Sequence, residues 1–193
     1  MGGEGMLIAL GVVVIAVGWG VVLYNKLVVA KHRVSEGWSG VDVQLRRRAN
    51  LIPNLVDTVK GYMEHERSTL DGITRLRQQS ADAESKGNAT ERARAEVRLS
   101  GSLIHLFAVA ENYPDLKANE NFLDLQGNLA EIEEQIQLAR RYFNGAARDN
   151  NILVESVPSN IVANLFRFRT TDYFEVEDAS ERAVPKTGFA SPS

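Results

Sequence analysis

Apolar positions along the chain fall into one unbroken block followed by several periodic stretches. Residues 6–23, MLIALGVVVIAVGWGVVL, carry no charge, amide or hydroxyl. As a helix rising ~1.5 Å per residue they extend ~27 Å, enough for a bilayer's hydrocarbon core when Tyr24 and residues 27–29 share the boundary. Trp19 and Tyr24 stand near one end, where amphipathic rings settle among headgroups. Apolar residues then recur at helical spacing at Leu27, Val34, Trp38, Val41 and Leu45, so the pattern predicts one rod from about residue 6 to 48.

Turn and cap residues divide the remainder of the chain. Asn50 is placed to cap a second helix, with Pro53 in its first turn, where a missing N–H costs nothing. Leu55, Val59, Tyr62, Leu70, Ile73 and Leu76 trace a face of that helix as far as about Gln79, and residues 80–89, SADAESKGNA, read as a loop. Thr90 would cap a third helix carrying Ala93, Val97, Ile104, Phe107 and Ala108, stopped at Asn112-Tyr113-Pro114. The fourth has the clearest pattern: Phe122, Leu125, Leu129, Ile132, Ile136, Ala139, Phe143, Ala146, Asn150, Leu153 and Val157 alternate steps of three and four until Pro158. This candidate coiled-coil face needs a long partner, either within the chain or in another copy, and the pattern leaves both open.

The expected fold is therefore all-α, an N-terminal transmembrane helix continuing into a long antiparallel helical bundle. Residues 1–5 are expected as a short extracytoplasmic N-terminus, 6–24 as the membrane span, 25–174 as a cytoplasmic bundle and 175–193 as a disordered acidic tail. A cleaved signal peptide competes with an uncleaved anchor, because Val28 and Ala30 fit a small-residue cleavage rule; the uncharged-to-acidic leader MGGEG favours the anchor. Lys26, Lys31 and Arg33 follow the span and no base precedes it, which points the N-terminus outward. Ala16 and Gly20 form a small-xxx-small pair that would let two spans approach.

Composition narrows the chemistry. There is no cysteine, which excludes disulfides, thiolate metal sites and cysteine nucleophiles. A net charge of -3 argues against a general nucleic-acid binder. Residues 24–60 hold seven basic and three acidic side chains, residues 111–150 four basic and eight acidic, a division that favours the first and last helices lying together. His32, His65 and His105 lack the Glu-x-x-His spacing of a di-iron bundle, and the Ser102/His105 pair lacks any orienting group, so no catalytic, metal or cofactor residues are expected.

Three groups remain as candidate interaction sites. Trp38, Asp42, Arg46, Arg47, Arg48, Asn50, Asn54, Asp57, Lys60 and Tyr62 crowd polar groups into residues 38–66, as a helix–helix or subunit interface would. Arg47 lies ~36 Å beyond the span, too far for lipid headgroups at a Debye length of ~8 Å, so the arginines are expected to pair with acidic residues of a neighbouring helix or subunit. Phe122, Leu125, Leu129, Ile132, Ile136, Phe143 and Leu153 form the coiled-coil face. Ile161, Leu165, Phe166, Phe168, Tyr173 and Phe174 return towards the bilayer; they suit a membrane-interface segment, against the plainer reading that Ile161, Leu165, Phe166 and Phe168 cap the bundle base.

The chain resembles the LemA family. The resemblance is carried by Tyr24-Asn25-x-Leu27-Val28, by Val34-x-x-x-Trp38, and by Val41-Asp42-Val43-Gln44-Leu45-x-Arg47-Arg48-x-Asn50-Leu51-Ile52-Pro53-Asn54-Leu55-Val56. It continues in Thr58-Val59-Lys60-Gly61-Tyr62-x-x-His65-Glu66, Tyr142-Phe143-Asn144, Asn150 and Val157-Pro158-Ser159-Asn160-Ile161-Val162-Ala163, and ends near Tyr173-Phe174. Asn50 departs from the pattern, which usually has an acidic residue there. The resemblance implies a membrane-anchored protein with a short outer N-terminus, a cytoplasmic helical bundle and similarity to a magnetosome-membrane protein involved in membrane organisation; it implies no enzymatic activity. The expectation is a non-enzymatic scaffold, homo-oligomeric and anchored in the lipid bilayer through residues 6–24, without nucleic acid. The alternative is an adaptor that binds another membrane protein or relays an envelope signal.

Overall fold

The computed structural model describes residues 2–174, which form helices and their connections. In order these are α1 (Gly3–Lys60), a 3-10 turn (Glu64–Glu66), α2 (Arg67–Ser85), α3 (Ala89–Ala110), α4 (Pro114–Lys117), α5 (Glu120–Glu155) and α6 (Ser159–Leu165). Residues 166–174 continue without regular structure. The acidic tail expected at 175–193 lies outside the described residues.

The rod is longer than its pattern predicts. α1 runs 58 residues, ~87 Å, straight through Asn50 and Pro53. Asn50 therefore caps nothing, and the distal turn comes at 61–63. A proline inside a helix deprives the carbonyl four residues earlier of its donor, at a cost of ~3 kcal/mol. Here that carbonyl belongs to Ala49, and Arg77 of α2 donates its Nε–H to it at 2.8 Å. The neighbouring helix repairs the gap.

The remaining boundaries shift for reasons of capping. α2 continues through most of the polar stretch expected as a loop, and the turn is only residues 86–88. Gly87 adopts φ +66°, the Gly87 N–H reaches Glu84 O at 3.0 Å, and the Asn88 N–H reaches Ala83 O at 2.9 Å. This is a Schellman ending, which favours glycine at the left-handed position. Asn88, not Thr90, then caps α3, its side chain accepting from the Glu91 N–H at 3.0 Å. Asn119 caps α5 in the same way. That helix stops at Glu155, so Val157, the last position of the heptad pattern, lies outside it and is exposed.

α1 and α5 pack along one another, and Trp38 with Phe143, Arg48 with Glu133 and Tyr62 with Asn119 succeed each other in opposite chain directions. The pair is antiparallel. α2 and α3 form a second hairpin laid on it. Gly37 lets the long helices approach closely: a Cβ there would stand 3.0 Å from the Phe143 Cα. Every heptad position of α5 from Phe122 to Leu153 is buried or half-buried inside the chain. The partner of that face is therefore α1 and its neighbours, not a second copy.

On α3 the observed face is out of phase with the apolar stripe. Ile104 is exposed and Ala108 open to solvent, while Arg92, Glu96, Leu99, Leu103 and Leu106 are buried. The inward face includes two charged residues that apolar periodicity passes over. Likewise it is Met63, not Tyr62, that is buried at the distal turn.

Candidate functional site

The buried positions of α1 run Val41, Leu45, Arg48, Ile52, Leu55, Val59, so Arg48 occupies a core position of an otherwise apolar stripe. It is 1% exposed. An unpaired guanidinium there would be prohibitive, and its partners come from α3 and α5. Arg48 donates to Glu133 Oε2 and to Ser100 Oγ, each at 2.5 Å, to the Glu96 carbonyl at 3.1 Å, and to the Glu96 carboxylate. The Ser80 hydroxyl donates to the other Glu96 oxygen, and Ser100 lies 3.0 Å from Glu133 Oε1. One cation thus ties α1, α2, α3 and α5 into a single polar layer.

That layer separates two apolar cores. Distal to it, Ile52, Leu55, Val59, Leu70, Leu99 and Phe122 belong to one cluster; proximal to it, Val41, Leu45, Ile132, Ile136 and Phe143 belong to another. A second ring stands beside it, where Arg46 and Arg92 alternate with Asp42 and Glu84. Arg46 meets Asp42 at 3.0 Å and Glu84 at 2.5 Å, and Arg92 meets the same two at 2.6 and 3.2 Å. Arg46 is largely exposed, so its bonds count for little; Arg92 is buried. Arg140, one layer nearer the span, sits 4.5 Å from the Phe174 ring centroid. Burial pushes its guanidinium pKa below the ordinary value, Glu133 opposes that shift, and Arg48 adds to it.

The C-terminal segment is strapped onto α5 by three asparagines. Asn144 accepts from the Phe174 N–H at 2.8 Å and donates to its carbonyl. Asn151 does the same for Thr171, and Asn150 donates to the Arg169 carbonyl at 3.1 Å. These bonds seat Phe174 against Trp38 and Arg140, 4% exposed. Phe174 is thus a core residue of the bundle, which corrects its assignment to a membrane-interface segment. Between this strap, α1 and the start of α3 lies an open groove of about 900 Å³ lined by Lys31, Trp38 and Tyr173 among others.

At the other end of the strap, Phe166 and Phe168 stack edgewise on Tyr24, with ring centroids 4.7 and 5.7 Å away. Ile161, Leu165 and Phe166 are more than half exposed. Of the four residues that the plainer expectation has capping the bundle base, Phe166 and Phe168 pack on Tyr24 and Phe168 is half-buried, while Ile161 and Leu165 stay exposed and α6 turns Ser159 and Ala163 inward.

The remaining candidate residues divide by whether they meet a partner on another helix. Trp38 packs on Phe143, Asp42, Arg46 and Arg48 enter the ionic layers, and the Tyr62 hydroxyl accepts from Asn119 at 3.1 Å. Arg47, Asn50, Asn54, Asp57 and Lys60 face solvent. All three histidines are exposed, no hydrogen bond joins Ser102 to His105, and among the described residues no cluster of His, Asp or Glu is arranged to hold a metal.

A family model described as the LemA family matches residues 37–189. The chain belongs to the LemA family. It is similar to Magnetosome protein MamQ 2 of Paramagnetospirillum magneticum, 24% identical over 185 residues, 83% of this chain and 68% of that one. Magnetosome protein MamQ of Magnetospirillum gryphiswaldense is 22% identical over the same coverage. Protein LemA of Metamycoplasma hominis is 23% identical over 155 residues, 80% of this chain and 69% of that one. None of these names is that of an enzyme.

In this LemA chain the residues that carry the family resemblance are largely those the structure uses for cohesion. Asp42 and Arg48 hold the ionic layers, Asn144 and Asn150 hold the strap, and Pro53 sits where Arg77 compensates it. Glu96, Glu133, Arg92, Ser80, Ser100 and Arg77 are equally involved, and apolar periodicity does not reveal them. One signal was available: a charged residue in step with Leu45 and Ile52 must be buried, and a buried cation requires carboxylates opposite.

Proposed function

We propose that the chain is a non-enzymatic, membrane-anchored scaffold that self-associates into a homo-oligomer and contributes to membrane or envelope organisation, with its N-terminus outside and its bundle in the cytoplasm. The observation that carries the reading is α1 itself. Its first turns present an 18-residue window apolar enough to cross a bilayer and with none of it buried, and the same helix continues without a break into the bundle. The buried charges of that bundle bond to one another across helices, which is the arrangement of a cohesive element.

The heptad face of α5 is occupied within the chain, so self-association falls to other surfaces. Support comes from the span, where Ala16 and Gly20 allow close approach, and from charge on the outer faces. Arg47 and Lys60 on α1 and Glu120, Asp124, Glu131 and Glu134 on α5 all remain exposed. Mass measurement of the full chain in mild detergent tests the reading: a multiple of the 21.3 kDa protomer is expected, and a strictly monomeric particle at micromolar concentration would defeat it.

A second reading, an adaptor for another membrane protein, is favoured by the exposed strip of Asn50, Asn54 and Asp57 along α1. Crosslinking from Asn54 or Lys60 separates the two. Self-adducts support the scaffold, and a distinct captured protein supports the adaptor.

A further inference from the structure

We propose that α6 and the turn after it form a second membrane contact, lying in the headgroup layer of the bilayer that α1 crosses. Ile161, Leu165 and Phe166 enter the acyl boundary, and Arg167 and Arg169 meet lipid phosphates. The proposal rests on the membrane-anchored reading above.

Position comes first. Tyr24 is the residue after the apolar block, and Phe166 and Phe168 both stack on it. Three residues further along, Leu27 is fully buried, so the bundle begins within a turn of where the span ends. The patch therefore sits at the depth of that boundary and on the flank of the span.

Its polarity is the reverse of a water-facing helix. α6 buries two small residues, Ser159 and Ala163, and turns its large apolar ones outward: Ile161 is 67% exposed, Leu165 74% and Phe166 56%, with Val157 beside them at 78%. Ile161 and Leu165 are one turn apart and share a face. Contiguous exposed apolar surface of this kind marks an interaction site.

Charge then selects the occupant. Residues 156–171 contain no Asp or Glu, while Arg167 and Arg169 are exposed and form no ion pair among the described residues. Apolar side chains flanked by arginines match the acyl-to-phosphate gradient of a membrane surface. Continuity with the span favours lipid over a second copy of the chain.

The turn holds these groups in place. Arg167 adopts φ 59°, Phe168 N–H reaches Ala163 O at 2.9 Å, and the Arg167 N–H reaches Asn164 O at 3.3 Å. This Schellman geometry folds Phe168 back under Phe166, so that both rings meet Tyr24.

The cysteine-free chain allows a direct test. Ile161→Cys, Leu165→Cys, Val14→Cys and Ile104→Cys are each made in the full-length protein, labelled with a nitroxide and reconstituted in phosphatidylcholine/phosphatidylglycerol vesicles. Collision with oxygen is compared with collision with a water-soluble nickel chelate. Labels at 161 and 165 are expected ~5–10 Å below the phosphates, with an oxygen-to-nickel ratio several-fold above that at Ile104 and below that at Val14. Ratios at 161 and 165 equal to that at Ile104, with Val14 still in lipid, overturn the contact and leave the anchor standing. Labels at 161 and 165 shielded from both reagents also overturn it, because protein rather than lipid then covers the patch. A water-exposed label at Val14 overturns the anchor itself.

Discussion

Replacing Arg77 with Met keeps most of the apolar stem but removes the guanidinium that reaches the Ala49 carbonyl at 2.8 Å. Because Pro53 has no N–H, that carbonyl then has no intrahelical donor. A hydrogen bond from a charged donor contributes ~1.5–3 kcal/mol, and with Arg77 and Ala49 both only half-buried the lower end applies, ~1.5 kcal/mol. In a Pro53→Ala background the new N–H at position 53 restores the ladder, and losing Arg77 should then cost only ~0.5 kcal/mol. The expected coupling is ~1 kcal/mol, well above the ~0.3–0.5 kcal/mol scatter of independent sites. Guanidinium unfolding of the detergent-solubilised chain measures it, with Trp19→Phe leaving Trp38 as the reporter within the bundle. Equal losses in the two backgrounds would mean that Arg77 only packs against α1, and that the helix tolerates its proline for another reason.

Arg48→Met should destabilise the bundle by ~3–5 kcal/mol, because Glu96 and Glu133 are left without their cation, and adding Glu96→Gln and Glu133→Gln should recover most of it. The same unfolding measurement tracks both steps, and an unchanged midpoint for Arg48→Met would dismiss the polar layer as a tie. Gly87→Ala should cost ~1 kcal/mol through its left-handed conformation, read as a fall of a few degrees in melting temperature by circular dichroism. Gly37→Val should cost ~1–3 kcal/mol by forcing α1 from α5, since even a Cβ stands 3.0 Å from the Phe143 Cα, and Trp38 fluorescence should shift with it.

Sequence legibility depends on how locally each feature is determined. The apolar block, the antiparallel order of long helices and the α5 stripe can be read because they depend on hydrophobic period alone. Asn50 and Pro53 mislead because their cap and first-turn preferences are local, whereas the helix runs on through a bond supplied from Arg77, 24 positions beyond Pro53. The face of α3 escapes for a related reason. Arg92 and Glu96 point inward only because Asp42, Glu84 and Arg48 await them there, and no window on α3 contains those partners. Asn144 and Asn150 are visible as family residues, but their work depends on a strap with no periodicity of its own.

The two arginine ties have a joint consequence for α1. A break at Asn50 would have placed a joint between the membrane-proximal rod and the distal bundle, allowing one to swing without the other. Instead Arg77 makes good the proline's gap, and Arg48, about one turn earlier, is bonded to α3 and α5 at once. The segment most prone to bend is the segment most heavily cross-braced. From Tyr24 to Lys60 the helix spans ~54 Å, so a change of angle at its apolar end displaces the far turn in proportion to that length. Tyr24, stacked on Phe166 and Phe168, is where such an angle would be set, and the strap bonded to Asn144, Asn150 and Asn151 carries the same constraint back along α5. Orientation of the apolar segment and orientation of the whole bundle are therefore one variable.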